Sequence, residues 1–114
     1  MLDLALELSE IAEKTRQRKI GIEELQGGTF TISNLGSIGG QHFTPIVNKP
    51  QAAILGLSRG MMKAVVKNGK IETRMMMPIA LSYDHRIVDG ADGARFIKEL
   101  VQGFENPVEK DLKI

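Results

Sequence analysis

The sequence contains no cysteine and no tryptophan, and aromatic residues make up only 4% of its 114 residues. Without cysteine the chain can form neither a disulfide framework nor a thiolate nucleophile of its own. So few aromatic side chains argue against a surface that stacks nucleic-acid bases. The formal net charge is only +1, which removes the electrostatic case for nucleic acid or an acidic membrane surface as a partner.

Long apolar runs are absent as well. The N-terminal segment "MLDLALELSEIAEKTRQRK" has acidic residues inside its apolar pattern and lacks a small-residue cleavage site. It therefore reads as neither a signal peptide nor a membrane span, and we expect a soluble intracellular protein. With two histidines and no cysteine, we also expect no transition-metal site. A length of 114 residues predicts one domain at most.

What the sequence does contain is a set of helical and strand-like patterns. Residues 2–19 have the apolar spacing of an amphipathic helix, and a second helix begins near Asp89. Residues 29–36 alternate between apolar and polar and are rich in β-branched residues, which predicts a strand. Residues 51–58 are a short apolar run, which predicts a buried strand. The apolar positions of the second helix are Ala94, Ile97, Leu100, Val101 and Phe104.

Two further strand-like runs flank Asn68 and Gly69, a dipeptide that favours a two-residue hairpin. The second run extends from residue 70 to residue 83 and contains Pro78, which predicts an edge position or a bulge. The order of helix, several strands and helix predicts an α+β fold with a mainly antiparallel sheet covered by helices.

The predicted elements carry more apolar residues than two helices can cover. The segment "MMMPIAL", residues 75–81, is continuously apolar, which indicates burial on both faces of a sheet. A two-layer domain of this size does not supply both covers. We therefore expect either that the chain oligomerises or that part of its own domain is absent.

The segment "SYDHRIVDGADG", residues 82–93, places His85 between Asp84 and Arg86, with Asp89 four positions later. A lone histidine in a soluble chain is more often structural than catalytic. Here it stands where a strand ends and before a helix starts, a position that often carries functional groups. A neutral imidazole there is a competent general base near pH 7. Asp89 has a strong structural alternative, because it is well placed to cap the following helix.

Ser33, in "TISNLG", is a second candidate, since a hydroxyl near glycines can donate to a developing oxyanion. Its structural alternative is an ordinary exposed hydroxyl at a strand end. His42 is interpreted as a surface or interface residue. Residues 75–77, all methionine, fit core or interface packing better than a ligand set. "GSIGG", residues 36–40, lacks the lysine and the spacing of a phosphate-binding loop.

Three segments in order resemble the dihydrolipoamide acyltransferase catalytic domain, the core component of the 2-oxo acid dehydrogenase complexes. They are "GGTFTISNLGSIGG", "FTPIVNKPQAAILG" and "ALSYDHRIVDGADGARF". The resemblance implies a partial chloramphenicol-acetyltransferase-like sandwich, with helices over a mixed sheet. It implies that residues 1–114 are about the C-terminal half of that domain, with the lipoyl and subunit-binding domains absent. It also implies a location in the cytoplasm or the mitochondrial matrix.

The roles of individual residues follow from the same resemblance. It assigns His85 as the catalytic base, Ser33 as the oxyanion-stabilising hydroxyl and Asp89 as the aspartate of the catalytic motif. Asp89 would hold local geometry and would pair with an arginine, for which Arg86 is a candidate, although the sequence does not determine the partner of Arg86. An apolar substrate channel would draw on Phe43, Pro45 and Ile46.

The resemblance also implies substrates and partners. Coenzyme A would be a substrate, and the lipoyl group would be carried on a domain outside this chain. Trimers would build larger cores, with His85 of one subunit facing Ser33 of a neighbour. The motifs look more like those of the acetyl-transferring and branched-chain members than those of the succinyl-transferring one, and of the first two we favour acetyl. Two alternatives stay open: a catalytically incomplete module for assembly or interaction, and an acyltransferase that uses a free small acceptor instead of lipoamide.

Overall fold

The computed structural model describes residues 2–108, which contain two α-helices and five strands. In chain order they are α1 (Leu2–Arg16), β1 (Thr31–Asn34), β2 (Ala53–Leu57), β3 (Met61–Lys67), β4 (Lys70–Met76), β5 (Ile79–Tyr83) and α2 (Gly90–Glu105). A short 3-10 helix, Glu23–Leu25, follows α1. The contacts divide the chain into two compact units, of which Thr29–Gly93 is one. All five strands belong to this unit.

The strands form two sheets. The first has the order β1-β2-β5, in which β1 and β2 are parallel and β2 and β5 are antiparallel. The second is the antiparallel pair of β3 and β4. Two of the three strand pairings are antiparallel, so the predicted α+β class with a mixed, mainly antiparallel sheet is confirmed.

The central strand β2 forms the core of the first sheet. Ile54 and Leu55 are each only 4% exposed, because β2 has a hydrogen-bonded neighbour on both sides. Gly56 and Ser58 are buried beside them. Outside β2, most large apolar side chains in residues 2–108 stay partly exposed, including Leu4 at 58%. Much apolar surface of residues 2–108 is therefore open to water. This agrees with the sequence, whose strands carry more apolar residues than two helices can cover.

The hairpin between β3 and β4 is confirmed at the predicted dipeptide. Asn68 and Gly69 have φ angles of 52° and 75°, the left-handed backbone that a two-residue hairpin requires. One face of the hairpin is apolar and exposed along its whole length. It consists of the cross-strand pairs Met62 with Met75, Ala64 with Thr73, and Val66 with Ile71.

The run from residue 70 to residue 83 is two strands and not one. Met77 and Pro78 separate β4 from β5, and the two strands join different sheets. Proline has no N–H to donate, yet its carbonyl accepts a 3.0 Å hydrogen bond from the Ser58 N–H. The expected burial of "MMMPIAL" on both faces is wrong for its methionines, since Met75 is 65% exposed. The hairpin face that carries Met75 stays exposed among the described residues 2–108.

The helices begin where the sequence predicts. α1 ends at Arg16, three residues before the predicted boundary, and Arg18 follows with a positive φ of 56°. α2 begins at Gly90, directly after Asp89. The length and apolar content of the helices in residues 2–108 are too small for any of them to span a membrane.

Candidate functional site

The segment that carries His85 leaves β5 through a tight turn. The Asp84 N–H donates to the Ala52 carbonyl at 2.8 Å, which extends the pairing of β2 and β5 by one bond. The Asp84 carbonyl then accepts from the N–H groups of Ile87 at 2.9 Å and Val88 at 3.0 Å. The backbone is thus fixed before and after His85, whose side chain is exposed. A functional side chain can be presented to solvent in this way from a firmly held turn.

The Asp84 carboxylate closes the same turn from its side chain. It accepts from the backbone N–H of Arg86 at 3.0 Å and from Arg86 Nε at 2.9 and 3.1 Å, and Nη2 completes a bidentate pair. These hydrogen bonds, the side-chain ones first, hold the pKa of Asp84 well below its ordinary value. The sequence left the partner of Arg86 open, and the structure shows that the partner is Asp84. Asp84 is only two residues away and already accepts the Arg86 N–H, so the guanidinium folds back onto it.

The depressed pKa of Asp84 makes a prediction about acid stability. The unfolded-state pKa of aspartate is about 3.9 and the folded one is lower, so the carboxylate stabilises the fold above that value. This contribution is lost as the pH falls through the folded pKa. Relative to Asp84→Asn, wild type should show a constant excess in melting temperature above about pH 5 that shrinks below about pH 4. Arg86→Gln should remove most of the same pH dependence. Equal pH profiles for wild type and Asp84→Asn would contradict the pairing.

Asp89 caps helix α2. Its Oδ1 accepts from the Asp92 N–H at 2.8 Å, and its carbonyl accepts from the Gly93 N–H at 3.1 Å. A side-chain oxygen bonded to the third helical N–H is the usual N-cap arrangement. The structural alternative for Asp89 is therefore confirmed. It also ties the start of α2 to the end of the His85 turn, because only three residues separate His85 from Asp89.

Tyr83 contacts the His85 ring from the last residue of β5. The two ring centroids are 5.7 Å apart and the planes are inclined by 41°. Tyr83 also packs against α2: a Cβ added to Gly93 would lie 2.8 Å from Tyr83 Cε1 and 3.2 Å from Cζ. Sequence reasoning missed both residues. Glycine inside a helix was a possible signal, but Gly103 in the same helix has open space around it.

Ser33 lies in another part of the same sheet. It is half-buried on β1 and pairs with Gly56 of β2, which in turn pairs with Ala80 of β5. Paired residues present their side chains to one face of a sheet. On that face a Cβ added to Gly56 would lie 2.8 Å from Phe43 Cζ and 3.2 Å from Pro45 Cγ. Ser33, Phe43 and Pro45 therefore share a surface.

The third predicted channel residue, Ile46, is 85% exposed and lies outside this packing. Pro45 is buried and Phe43 is half-buried. No feature of the sequence indicated that the contact would be made to a glycine of the central strand. Gly56 is thus a second residue that sequence reasoning missed, since an apolar run gives no sign of which position must lack a side chain.

The pairing register keeps Ser33 and His85 apart within one chain. Ser33 is level with Ala80, whereas His85 follows Tyr83, which is level with Ala53. With strands about 4.8 Å apart and a rise of about 3.4 Å per residue, the Cα atoms of Ser33 and Tyr83 are about 14 Å apart. His85 follows Tyr83 by two residues along the chain, in the turn after β5. The register thus places the strand end that leads to His85 well away from Ser33.

A cleft of about 540 Å³ opens beside the His85 turn. Lys49 in its wall contributes to lowering the Asp84 pKa, after the larger effects of Arg86. Gln51 ties this wall to β1 by accepting a 2.6 Å hydrogen bond from Thr31 Oγ1. The lining residues are Val47, Lys49, Pro50, Gln51, Asp84, Arg86 and Ile87. Residues 2–108 contain no cluster of three side chains suited to a metal ion.

Comparison with known proteins identifies the family. Residues 1–110 match the family of 2-oxoacid dehydrogenases acyltransferase (catalytic domain). The chain is 52% identical over 100 residues to the dihydrolipoyllysine-residue acetyltransferase component of the pyruvate dehydrogenase complex of Azotobacter vinelandii, covering 88% of this chain and 16% of the relative. It is 50% identical over 105 residues to the dihydrolipoyllysine-residue succinyltransferase component of the 2-oxoglutarate dehydrogenase complex of Rickettsia typhi, covering 92% and 26%.

Solved structures give the same result. A structure of the Azotobacter vinelandii dihydrolipoamide acetyltransferase, determined to examine one serine, one histidine and one asparagine in its catalytic mechanism, has a TM-score of 0.88 and 50% identity. The cubic core of the pyruvate dehydrogenase multienzyme complex gives the same values. Each comparison covers 92% of this chain and 43% of the solved chain, so the chain spans less than half of either solved structure.

These likenesses extend over nearly the whole chain and agree with its α+β architecture. The fold is therefore the chloramphenicol-acetyltransferase-like one that the motifs predict, represented in part. The chain belongs to the family of 2-oxoacid dehydrogenase acyltransferase catalytic domains.

Proposed function

We propose that the chain is the portion of an acyltransferase that supplies the catalytic base and the oxyanion donor for transfer between dihydrolipoamide and coenzyme A. One observation carries the proposal. In the Azotobacter vinelandii enzyme the mechanistic serine precedes the histidine by 52 positions and the asparagine follows it by four. Here Ser33 precedes His85 by 52 positions and Asp89 follows it by four. The same spacing across a 50% identical chain supports the same roles.

The chemistry starts at a thiol that is mostly protonated. A cysteine-like thiol has a pKa of about 8.5, so little thiolate exists at neutral pH. His85 accepts the thiol proton as sulfur attacks the thioester carbonyl, and Ser33 donates a hydrogen bond to the oxyanion that forms. Collapse of the tetrahedral intermediate expels the second thiol, which receives the proton back from His85. No acyl-enzyme is needed.

Asp89 serves this reaction through geometry. Aspartate and asparagine are both strong N-cap residues, so the asparagine at this spacing in the relative is compatible with the capping seen here. Capping fixes the first turn of α2 and with it the end of the His85 turn. A role in proton transfer is not required of Asp89, because an asparagine could not perform it.

The register of the sheet supports an active site shared between two copies. Since the strand end that leads to His85 lies well away from Ser33 within one chain, each active site takes His85 from one subunit and Ser33 from its neighbour. A closed ring of subunits with head-to-tail contacts, such as a trimer, makes this pairing at every interface. Larger cores built from such rings agree with the solved cubic core of the pyruvate dehydrogenase multienzyme complex.

The substrates would enter along the face that carries Ser33. Phe43 and Pro45 lie on this face and would form an apolar wall of the channel, with Ile46 at its exposed rim. We place this chain at the C-terminal side of the catalytic domain. The rest of the channel would come from the portion of the domain outside this chain. The lipoyl group would arrive on a separate domain, in a complex of the cytoplasm or the mitochondrial matrix.

The acyl group is the finer part of the proposal. The motifs around Ser33 and His42 favour acetyl over succinyl. Sequence identity does not separate the two, since the chain is 52% identical to an acetyltransferase and 50% identical to a succinyltransferase. The preference is therefore tested by comparing acyl donors directly.

The testing experiment measures acyl transfer from acetyl-, succinyl- and isobutyryl-coenzyme A to dihydrolipoamide. Two samples are compared: the chain alone, and the chain joined to the remaining portion of the Azotobacter vinelandii catalytic core. We expect transfer in at least the joined sample, fastest with acetyl. If the joined sample is folded but transfers no acyl group, the proposal is contradicted, and the alternative of an assembly module is favoured. If acyl groups are transferred only to a small free thiol and not to dihydrolipoamide, the alternative of an acyltransferase with a free small acceptor is favoured.

A further inference from the structure

We propose that Tyr83 is a positioning residue for His85. We propose further that position 93 is glycine because a larger side chain there would collide with the Tyr83 ring. The inference rests on the proposed function, because it assigns His85 the role of catalytic base. It adds two residues to the reaction that neither the motif spacing nor the chemistry of the transfer points to. Two contacts of the Tyr83 ring carry it, one with the His85 ring and one with the first turn of α2.

His85 needs an external restraint on its side chain. Its backbone is fixed by the hydrogen bonds of Asp84, but its ring is exposed to solvent. An unrestrained imidazole would sample about three staggered positions around its first side-chain torsion. If only one of these rotamers is productive, the rate would fall up to about threefold. A displacement of the imidazole by about 1 Å would lower the rate up to about a hundredfold. The Tyr83 ring, 5.7 Å from the imidazole, is the contact that limits this freedom.

Tyr83 is itself held on two sides. Its backbone belongs to β5 and pairs with Ala53 of the buried central strand. Its ring lies against Gly93, where an added Cβ would be 2.8 Å from Cε1, and its hydroxyl lies 3.8 Å from the Cβ position of Gly90. A contact under 3.0 Å requires a shift, so any residue other than glycine at position 93 would push the ring out of place. The strand and the helix together thus fix the surface on which His85 rests.

The sequence allows a direct test because it contains one tyrosine and two histidines. The chain is labelled with ¹³C and ¹⁵N in histidine, and His85 is assigned by its loss in His85→Ala. Wild type should show ring-to-ring Overhauser contacts between His85 and Tyr83 and one dominant side-chain rotamer. Tyr83→Leu should abolish the single rotamer, and Tyr83→Phe, which keeps the ring, should restore it.

The kinetic measurement follows on the sample that turns over. Tyr83→Leu should lower kcat on the order of tenfold with little change in KM, since substrate binding does not depend on the His85 rotamer. Tyr83→Phe should recover most of that loss. Ile79→Ala, at the other end of β5, serves as a stability control that lowers the melting temperature without altering the His85 signals.

Gly93→Ala supplies an independent variant with a matched control in the same helix. We expect it to shift the Tyr83 ring and lower kcat, whereas Gly103→Ala, with nothing within 4 Å of its Cβ position, should do neither. In the Tyr83→Leu background Gly93→Ala should have little further effect, because the colliding ring atoms are gone.

Unchanged His85 signals in Tyr83→Leu would overturn the inference, and so would changed signals with unchanged kcat. The spectroscopic measurement needs no turnover, so it decides the role of Tyr83 even in an inactive sample. The proposed function fails by a different result, namely full activity in His85→Ala.

Discussion

His85→Ala is expected to lower kcat for acyl transfer by about 10² to 10⁴, the usual contribution of a positioned general base. The physical reason is the state of the attacking thiol, which is mostly protonated at neutral pH. Without a base, only the small thiolate fraction attacks, and the departing thiolate leaves without a proton donor. The measurement is the steady-state transfer rate across pH 6 to 9. The loss should shrink at high pH, where the thiolate becomes abundant.

The control for this change is the other histidine. His42 lies in an exposed loop segment, and His42→Ala should leave the transfer rate within about twofold of wild type. His85→Gln adds a second comparison, since it fills similar space and can donate or accept a hydrogen bond but cannot carry the proton. Equal melting temperatures exclude unfolding as the cause. An active His85→Ala protein would remove His85 from the mechanism and leave the family assignment intact.

The parts of the site that sequence alone could predict are those fixed by neighbours along the chain. Asp89 as an N-cap and Asn68–Gly69 as a hairpin turn each depend on a few adjacent residues, and both are confirmed. Locality alone did not determine the partner of Arg86. Its partner Asp84 was within two residues, but sequence spacing could not show which of two nearby carboxylates the guanidinium would meet.

The contacts that sequence could not predict join distant segments. Phe43 packing on Gly56 and Tyr83 packing on Gly93 depend on how strands and helix meet. No local pattern distinguishes these glycines from Gly103, which has free space. The separation of Ser33 from His85 likewise depends on strand order and register, which place the ends of β1 and β5 apart.

Burial was mispredicted for a different reason. The pattern "MMMPIAL" is typical of a strand covered on both faces, yet Met75 and Met76 are 65% and 40% exposed. A sequence pattern records burial in the complete protein. This chain spans 43% of the solved chains it resembles, and within residues 2–108 these methionines stay uncovered.

Two inactive variants, Ser33→Ala and His85→Ala, are expected to recover activity when they are assembled together. Ser33→Ala should lower kcat by about 10² to 10³, because it removes the oxyanion donor. His85→Ala should be inactive for want of a base. The Ser33→Ala chain still has His85, and the His85→Ala chain still has Ser33. If each site takes one group from each neighbour, assembling the two chains together restores intact sites at mixed interfaces.

The size of the recovery follows from the symmetry of the contact. In a head-to-tail ring assembled at random from equal amounts, about one quarter of the sites receive His85 from one chain and Ser33 from the next. The recovered rate should therefore be about one quarter of wild type, and it should vary with the mixing fraction x as x(1 − x). Contaminating wild-type protein would instead give a linear dependence. The matched control replaces one partner with the Ser33→Ala/His85→Ala double variant, which cannot complete any site.

A mixture that stays at the level of the single variants would mean that both groups act from one chain. That result conflicts with the sheet register, which separates Ser33 from Tyr83 by about 14 Å before the turn to His85 begins. It would require the pairing of β1 with β2 or of β2 with β5 to shift by several residues. A shift by an odd number of residues would turn the side chains of one of the paired strands to the opposite face of the sheet. Complementation therefore tests the subunit contact and the strand register in one measurement.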